Sequence, residues 1–176
     1  MLEVREINEA RRADIRLPNE PFALFGRMEV SRVDGQWSHQ EVLFAADQVS
    51  EMCFPDENYD YDAMKRDCVF LGVYDGEQCV GLAVLQEAMF KYLYLYDLKV
   101  SRAYRGQGAA RALIEKSSEV SKARGYRGLY TIGQDDNLGA CRFYLKAGFH
   151  IGGLDTEVYK GTKQEGKSDI LFYLDL

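Results

Sequence analysis

Residues 104 to 111, YRGQGAAR, place two glycines, two alanines and two arginines where a loop turns into an apolar-periodic segment. A helix start leaves four backbone N–H groups without intrahelical acceptors, and the aligned peptide dipoles leave partial positive charge there. Glycine has no Cβ, so backbone can close on an anion to contact distance. The chemistry this suits is the cradling of a phosphate or diphosphate by Gly106, Gln107, Gly108, Ala109, Ala110 and Arg111. One charge at such a site contributes about 0.3 to 1 kcal/mol when exposed, so several N–H bonds must act together with Arg105 or Arg111. Other readings compete. A dinucleotide fingerprint needs an earlier place in the chain and a third glycine where Arg111 or Ala112 stands. A P-loop needs Gly-Lys-Ser/Thr, which is missing. A plain glycine turn entering an amphipathic helix remains the structural alternative.

The elements that must position this stretch follow from periodicity. LEVREI alternates as a first strand, and FALFGRMEV with QWSHQEVLF flanks Asp34-Gly35 as a hairpin. The acidic segment FPDENYDYDAMKRD reads as a loop leading into a short helix. CVFLGVYDGEQCVGLAVL forms two strands joined at Asp75-Gly76, and YLYLYDLKV is a strand with tyrosine on one face and leucine on the other. A helical stripe of Ala109, Ala112, Leu113, Val120 and Ala123 ends at Gly125. RGLYTI is the next strand, Asn137 stands as N-cap of LGACRFYLKAG, and Gly148 ends that helix. FHIGGLDTEVY and DILFYLDL close the chain as strands. The order predicts an α+β fold, an α/β sandwich in which helices pack on a mixed, mostly antiparallel sheet.

The chain has 176 residues, 47% of them hydrophobic, enough for a single domain over 1–176. A net charge of -6 makes nucleic acid an improbable partner. No run approaches a membrane span and MLEVREINEARR lacks the apolar core of a signal peptide, so a cytoplasmic protein is expected. Cys53, Cys68, Cys79 and Cys141 include no Cys-x-x-Cys pair and the chain has only two histidines, which predicts reduced, mostly buried thiols and no metal site.

Together, YDLKVSRAYRGQGAARALI and QDDNLGACRFYLKAGF resemble the cofactor-binding half of the GNAT family of N-acetyltransferases. FALFGRMEVSRVDGQWSHQEVLF, EQCVGLAVL and the closing DILFYLDL extend the likeness, within that family, to streptothricin acetyltransferases, from about Phe22 onward. The resemblance implies one GNAT domain, acetyl-CoA as cosubstrate and direct transfer to a primary amine of a small cationic molecule such as a streptothricin-type antibiotic. In the family the strand ending LKV splays from the strand reading LYTI, with the pantetheine arm between them. It implies that Gly106 to Arg111 hold the pyrophosphate, that backbone groups of Leu98, Lys99 and Val100 pair with the acetyl and pantetheine amides, that Asn137 contacts the cofactor, and that Tyr144 protonates the departing thiolate. The family often forms homodimers. Other acceptors stay open, among them a polyamine, an aminoglycoside or a protein N-terminus, as does a non-catalytic acetyl-CoA-binding module.

Where the relatives read IEDIAV and LETQDNN, this chain reads LYDLKV and YTIGQDDN, so Tyr96 and Ile132 replace two glutamates. Asp97 remains as general base or as a structural acid at a strand irregularity, and strict alternation puts it on the opposite face from Tyr96. That irregularity is expected to free the Leu98 N–H to polarise the acetyl oxygen. Tyr96, with Tyr92 and Tyr94, could line the acceptor pocket or simply form a half-exposed sheet surface. Asp155 and Glu157, or the cluster from Asp56 to Asp62, could hold a cationic amine; the alternative for the cluster is a solvated loop. Trp37 and His39 read as hairpin packing or a cleft cover, His150 as structural, and Cys141 as a buried free thiol.

Overall fold

Runs of aliphatic and aromatic residues punctuated by Asp-Gly pairs give short strands and tight turns, and the structure follows that punctuation. The computed structural model describes residues 1–88 and 90–176. In chain order the elements are β1 (Leu2–Glu6), β2 (Phe22–Leu24), β3 (Gly26–Val33), β4 (Gln36–Leu43), β5 (Ser50–Met52), α1 (Tyr61–Met64), β6 (Cys68–Asp75), β7 (Gln78–Gln86), β8 (Tyr92–Val100), α2 (Ala109–Ala123), β9 (Gly128–Gln134), α3 (Leu138–Lys146), β10 (His150–Asp155) and β11 (Asp169–Asp175). A 3-10 stretch over Glu9–Arg16, which periodicity does not announce, follows β1 and starts where the Asn8 side chain accepts the Ala10 N–H. The chain divides into two compact units, one of residues 1–21, 53–129 and 175–176, the other of residues 22–52 and 130–174.

In the first unit β1, β6, β7 and β8 lie side by side and antiparallel. The β6–β7 turn is Gly76-Glu77, with Gly76 at φ +60°. Helix α2 packs against all four strands. Of the expected stripe Ala109 and Leu113 are buried, Ala112 and Val120 half-buried and Ala123 exposed, while Ile114, Ser117 and Ser121 complete the buried face. The serines are tolerated because each hydroxyl is satisfied locally, Ser117 donating to the Leu113 carbonyl at 2.7 Å and Ser121 to the Gly128 carbonyl at 2.8 Å. A second apolar cluster, Ile7, Ile15, Tyr59, Cys68, Phe70, Leu82 and Val84, gathers the 3-10 stretch and the loop before α1.

In the second unit Asp34 (φ +51°) and Gly35 (φ +78°) make the two-residue turn between β3 and β4. The expected single strand from Phe22 breaks at Phe25. β2 leaves to pair with β5, while the Met28 N–H donates to the Asp135 carbonyl and Gly26 bridges Asn137, drawing β3 to the start of α3. β9, β11 and β10 are neighbours in that order. All four cysteines are free; Cys68 and Cys141 are buried, Cys53 exposed. Among the described residues no helix is long and apolar enough to cross a membrane.

Candidate active site

The glycine-rich start of α2 is built by backbone handedness. Gly106 (φ +75°) and Gly108 (φ +88°) occupy the left-handed region, which side chains with a Cβ rarely adopt. An ideal Cβ at either glycine meets nothing within 4 Å. Packing therefore does not select glycine here; the turn does, and the space above it is open to a ligand. Gly108 is the N-cap and supplies no side-chain acceptor, so the first-turn N–H groups of Ala109, Ala110 and Arg111 have no side chain answering them.

The two arginines of the stretch separate. Arg105 is pinned to main chain, donating to the carbonyls of Val100 (3.0 Å), Pro21 (2.7 Å) and Glu20 (3.2 Å). Its guanidinium thus braces the loop through main-chain contacts. Arg111 is less engaged: its side chain is 70% exposed and pairs with Glu115, one turn along, at 3.3 Å. Gln107 also turns inward, its amide donating to the Ala103 carbonyl at 2.6 Å. The Glu20 carboxylate accepts the Arg102 N–H at 2.5 Å and fixes the preceding turn.

Strand β8 carries the second feature. Asp97 pairs with Val84 and Leu95 with Leu85, leaving Tyr96 as an extra, bulged residue. The expected irregularity is present, but at Tyr96; Leu98, Lys99 and Val100 sit in register opposite Ala83, Leu82 and Gly81. The bulge also overturns the opposite-face expectation for Asp97. Cross-strand partners share a face, so Asp97 and Lys99 join Val84 and Leu82, both in the cluster around Tyr59. The Tyr59 hydroxyl donates to Asp97 at 3.1 Å, while its ring lies 6.2 Å from that of Tyr96. Tyr96 itself is 47% exposed and meets Tyr94 edge-on at 5.6 Å.

The Lys99 side chain lies in this cluster, its Nζ 2.5 Å from Glu57 Oε2 and 3.2 Å from Asp97 Oδ2. Only its backbone remains for the cofactor role expected of it. Burial pushes the Asp97 carboxyl above the ordinary carboxylate range, aided by the Glu57 charge and opposed by the Lys99 ammonium. Burial also acts on Glu57, but hydrogen bonds from Asn19 and Lys99 outweigh it and hold Glu57 low. Burial and the nearby Asp97 charge hold the Tyr59 phenol firmly protonated. Glu57 and Tyr59 belong to the acidic segment for which a solvated loop was one reading; that segment is largely exposed, with Tyr59 buried and Glu57 reaching in to Lys99 through its carboxylate. Their only sequence signal was tyrosines interleaved with the acids.

In the second unit Asn137 caps α3, its Oδ1 accepting the Ala140 N–H at 3.1 Å. The helix then buries Leu138, Cys141 and Tyr144 on one face. Tyr144 is 8% exposed, its ring packed among Phe143, Phe149 and Phe172 at centroid distances of 5.6, 5.5 and 5.3 Å. Burial, with Asp135 and Asp136 nearby, pushes the Cys141 thiol up to about 12, which leaves it unreactive. Asp155 ends β10 and accepts the N–H groups of Glu157 and Val158, so its Oδ1 shapes a turn. Asp135 and Asp136 are buried, beside Arg27 at 3.2 Å and Lys167 at 3.0 Å. Trp37 lies under the Arg32 guanidinium at 5.5 Å, which is hairpin packing, and His150 stacks on Tyr173. Among the described residues no group of three or more His, Cys, Asp or Glu is arranged to hold a metal ion.

The acetyltransferase (GNAT) family profile matches residues 37–149. The chain belongs to the GNAT family of acetyltransferases. It is 31% identical over 160 residues to streptothricin acetyltransferase A of Bacillus subtilis (strain 168), covering 91% of this chain and 92% of that protein. Two solved structures share the fold. A Bacillus anthracis str. Ames chain assigned as a streptothricin acetyltransferase, crystallised in complex with acetyl coenzyme A, superposes with TM-score 0.89 at 24% identity, covering 100% of both chains. Nourseothricin acetyltransferase superposes with TM-score 0.80 at 23% identity, covering 99% of this chain and 98% of that one. This N-acetyltransferase thus has the GNAT fold, a mixed, mostly antiparallel sheet with flanking helices, as the element order predicted.

Proposed function

We propose that this acetyltransferase takes its acetyl group from acetyl-CoA and transfers it to a primary amine of a small cationic molecule of the streptothricin type, conferring resistance to that antibiotic. The observation that carries the reading is the open, left-handed glycine start of α2, whose main-chain N–H groups suit a diphosphate and which no side chain caps. The similarity to streptothricin acetyltransferase A over 91% of the chain supports the acceptor class. The reading takes residues 1–176 as one cytoplasmic domain acting without nucleic acid.

The chain's own residues have three tasks. Ala109, Ala110 and Arg111 hold the diphosphate through N–H groups, with the Arg111 guanidinium adding charge. Asp97 takes a proton from the acceptor. An amine with an ordinary pKa near 10.4 is neutral about once in 2,500 molecules at pH 7, a deficit of about 4.6 kcal/mol, and a buried carboxylate of raised proton affinity suits its removal. Tyr144 donates to the departing sulfur; a phenol near 10 against a thiol near 8.5 can do so without large retuning. Leu98 and Val100 offer backbone groups along β8, Asn137 fixes the start of the helix that carries Tyr144, and the exposed ring of Tyr96 offers a face to a cationic acceptor.

Acetyl transfer measured with a streptothricin beside a panel of polyamines, aminoglycosides and peptide N-termini tests the proposal. Turnover with the streptothricin at the highest kcat/KM is expected. Preference for another amine would move the acceptor class, and tight acetyl-CoA binding with no transfer to any amine would leave a binding module.

A further inference from the structure

Two carboxylates and one ammonium lie together below the β8 bulge. Lys99 is 10% exposed in its side chain, Asp97 16% and Glu57 28%. The ammonium sits 2.5 Å from Glu57 and 3.2 Å from Asp97. Asn19 donates its side-chain amide to the other Glu57 oxygen at 2.8 Å, and Tyr59 donates to Asp97 at 3.1 Å. The Lys99 charge also lies 5.6 Å from the Tyr59 ring centroid. The group carries two negative charges and one positive, so its cation is contested. Asp97 is largely buried and Glu57 partly exposed, and a buried carboxylate beside another negative charge stays ionised cheaply only with a cation close by.

We propose that Lys99 is a positioning residue for acyl transfer: by dividing its ammonium between Glu57 and Asp97 it holds Asp97 ionised and oriented to receive the acceptor's proton. The inference rests on the assignment of Asp97 as base. Glu57 is the shorter contact and draws the ammonium away, which leaves Asp97 basic enough to take a proton; Lys99 keeps Asp97 from being protonated before the acceptor arrives. The step balances. One proton leaves the acceptor ammonium for an Asp97 oxygen and passes to solvent; the freed nitrogen lone pair forms the bond to the acetyl carbon as the carbon–sulfur bond breaks, the departing thiolate takes a proton from Tyr144, and the second proton that the nitrogen sheds as the amide forms restores the phenol. The charged and titratable groups facing Asp97 are Lys99 on its own strand and Glu57 and Tyr59 from the loop before α1; across the sheet it meets Val84, which is apolar.

The geometry requires two variants to act in opposite directions. Lys99→Met removes the cation at nearly constant volume and should move the acid limb of the kcat/KM against pH profile upward by about one unit. Glu57→Gln keeps the Asn19 contact, releases Lys99 to Asp97, and should move the limb downward. Tyr59→Phe should move it upward, by less. Shifts in the same direction, or changes in height with no displacement, would overturn the proposal, since a purely structural role alters the height alone. The 13C titration of the Asp97 carboxyl in the same proteins gives the same test without an acceptor: midpoints displaced oppositely support the network and equal midpoints end it. If no amine is acetylated, the functional reading fails while this titration still decides the role of Lys99, and Glu57→Gln alone suffices if Lys99→Met does not fold.

Discussion

Helices α2 and α3 begin in opposite ways. α3 starts at Asn137, whose side chain answers the Ala140 N–H, and the helix then presents Tyr144 from a buried face. α2 starts at Gly108, which has no side chain with which to cap a first-turn N–H. Among the proposed site residues, a capped helix offers a side chain and an uncapped helix offers main chain. The difference shows how one chain can divide binding from proton transfer: unpaired N–H groups hold an anion only if no cap occupies them, whereas a phenol is held steady only if its helix is firmly started and packed.

The comparison breaks most readily at Gly108. Gly108→Glu forces a Cβ into left-handed backbone, at about 1 to 2 kcal/mol, and places a carboxylate where phosphate belongs; the acetyl-CoA Kd measured by calorimetry should rise at least about 100-fold. An unchanged Kd would remove the main-chain cradle. Tyr144→Phe keeps the ring packing and loses only the hydroxyl, so kcat should fall about 100-fold with acetyl-CoA affinity unchanged, and a full-speed variant would strike Tyr144 from the mechanism. Asn137→Ala should lower stability by about 1 kcal/mol in urea unfolding and weaken acetyl-CoA far less than Gly108→Glu does. A loss of affinity as large as that of Gly108→Glu would make the two helix starts alike. The smallest effect concerns how closed the inner face of α3 is. With the Cys141 thiol near 12 and the Cys53 thiol exposed, iodoacetamide at about pH 8 should modify Cys53 and spare Cys141, read by mass spectrometry. Because the folded thiol binds its proton more tightly than the unfolded one, that contribution to stability is intact below the ordinary thiol pKa, about 8.5, and is lost as pH rises from there toward 12. A shallower alkaline fall of stability in Cys141→Ala than in the parent is the check, the remainder belonging to other groups held protonated by burial such as Tyr59 and Tyr74.

What could be read from sequence was local. Gly106 and Gly108 mark a left-handed turn because no other residue adopts it freely, Asn137 marks a cap because its side chain reaches three residues ahead, and Asp34-Gly35 marks a hairpin by its positive φ angles. The errors have one origin. The β8 run alternates through Tyr92, Leu93, Tyr94 and Leu95, and although an irregularity is expected near Leu98 it does not say that Tyr96 is the extra residue, because the place of a bulge is decided by what β7 offers opposite. Ser117 and Ser121 look polar, yet each is buried with its hydroxyl on a nearby carbonyl.

Sequence alone determined the order of the main strands and helices from β6 onward, the two helix starts and the family, because dihedral preference, capping and motif spacing act within a few residues. Tertiary structure decided which charges meet: the Asp97 and Lys99 side chains of β8 with Glu57 and Tyr59 about 40 residues earlier in the chain, and Arg105 with the carbonyls of Glu20 and Pro21. Charge pairing depends on distance in space and on exclusion of water, and neither is a property of position along the chain.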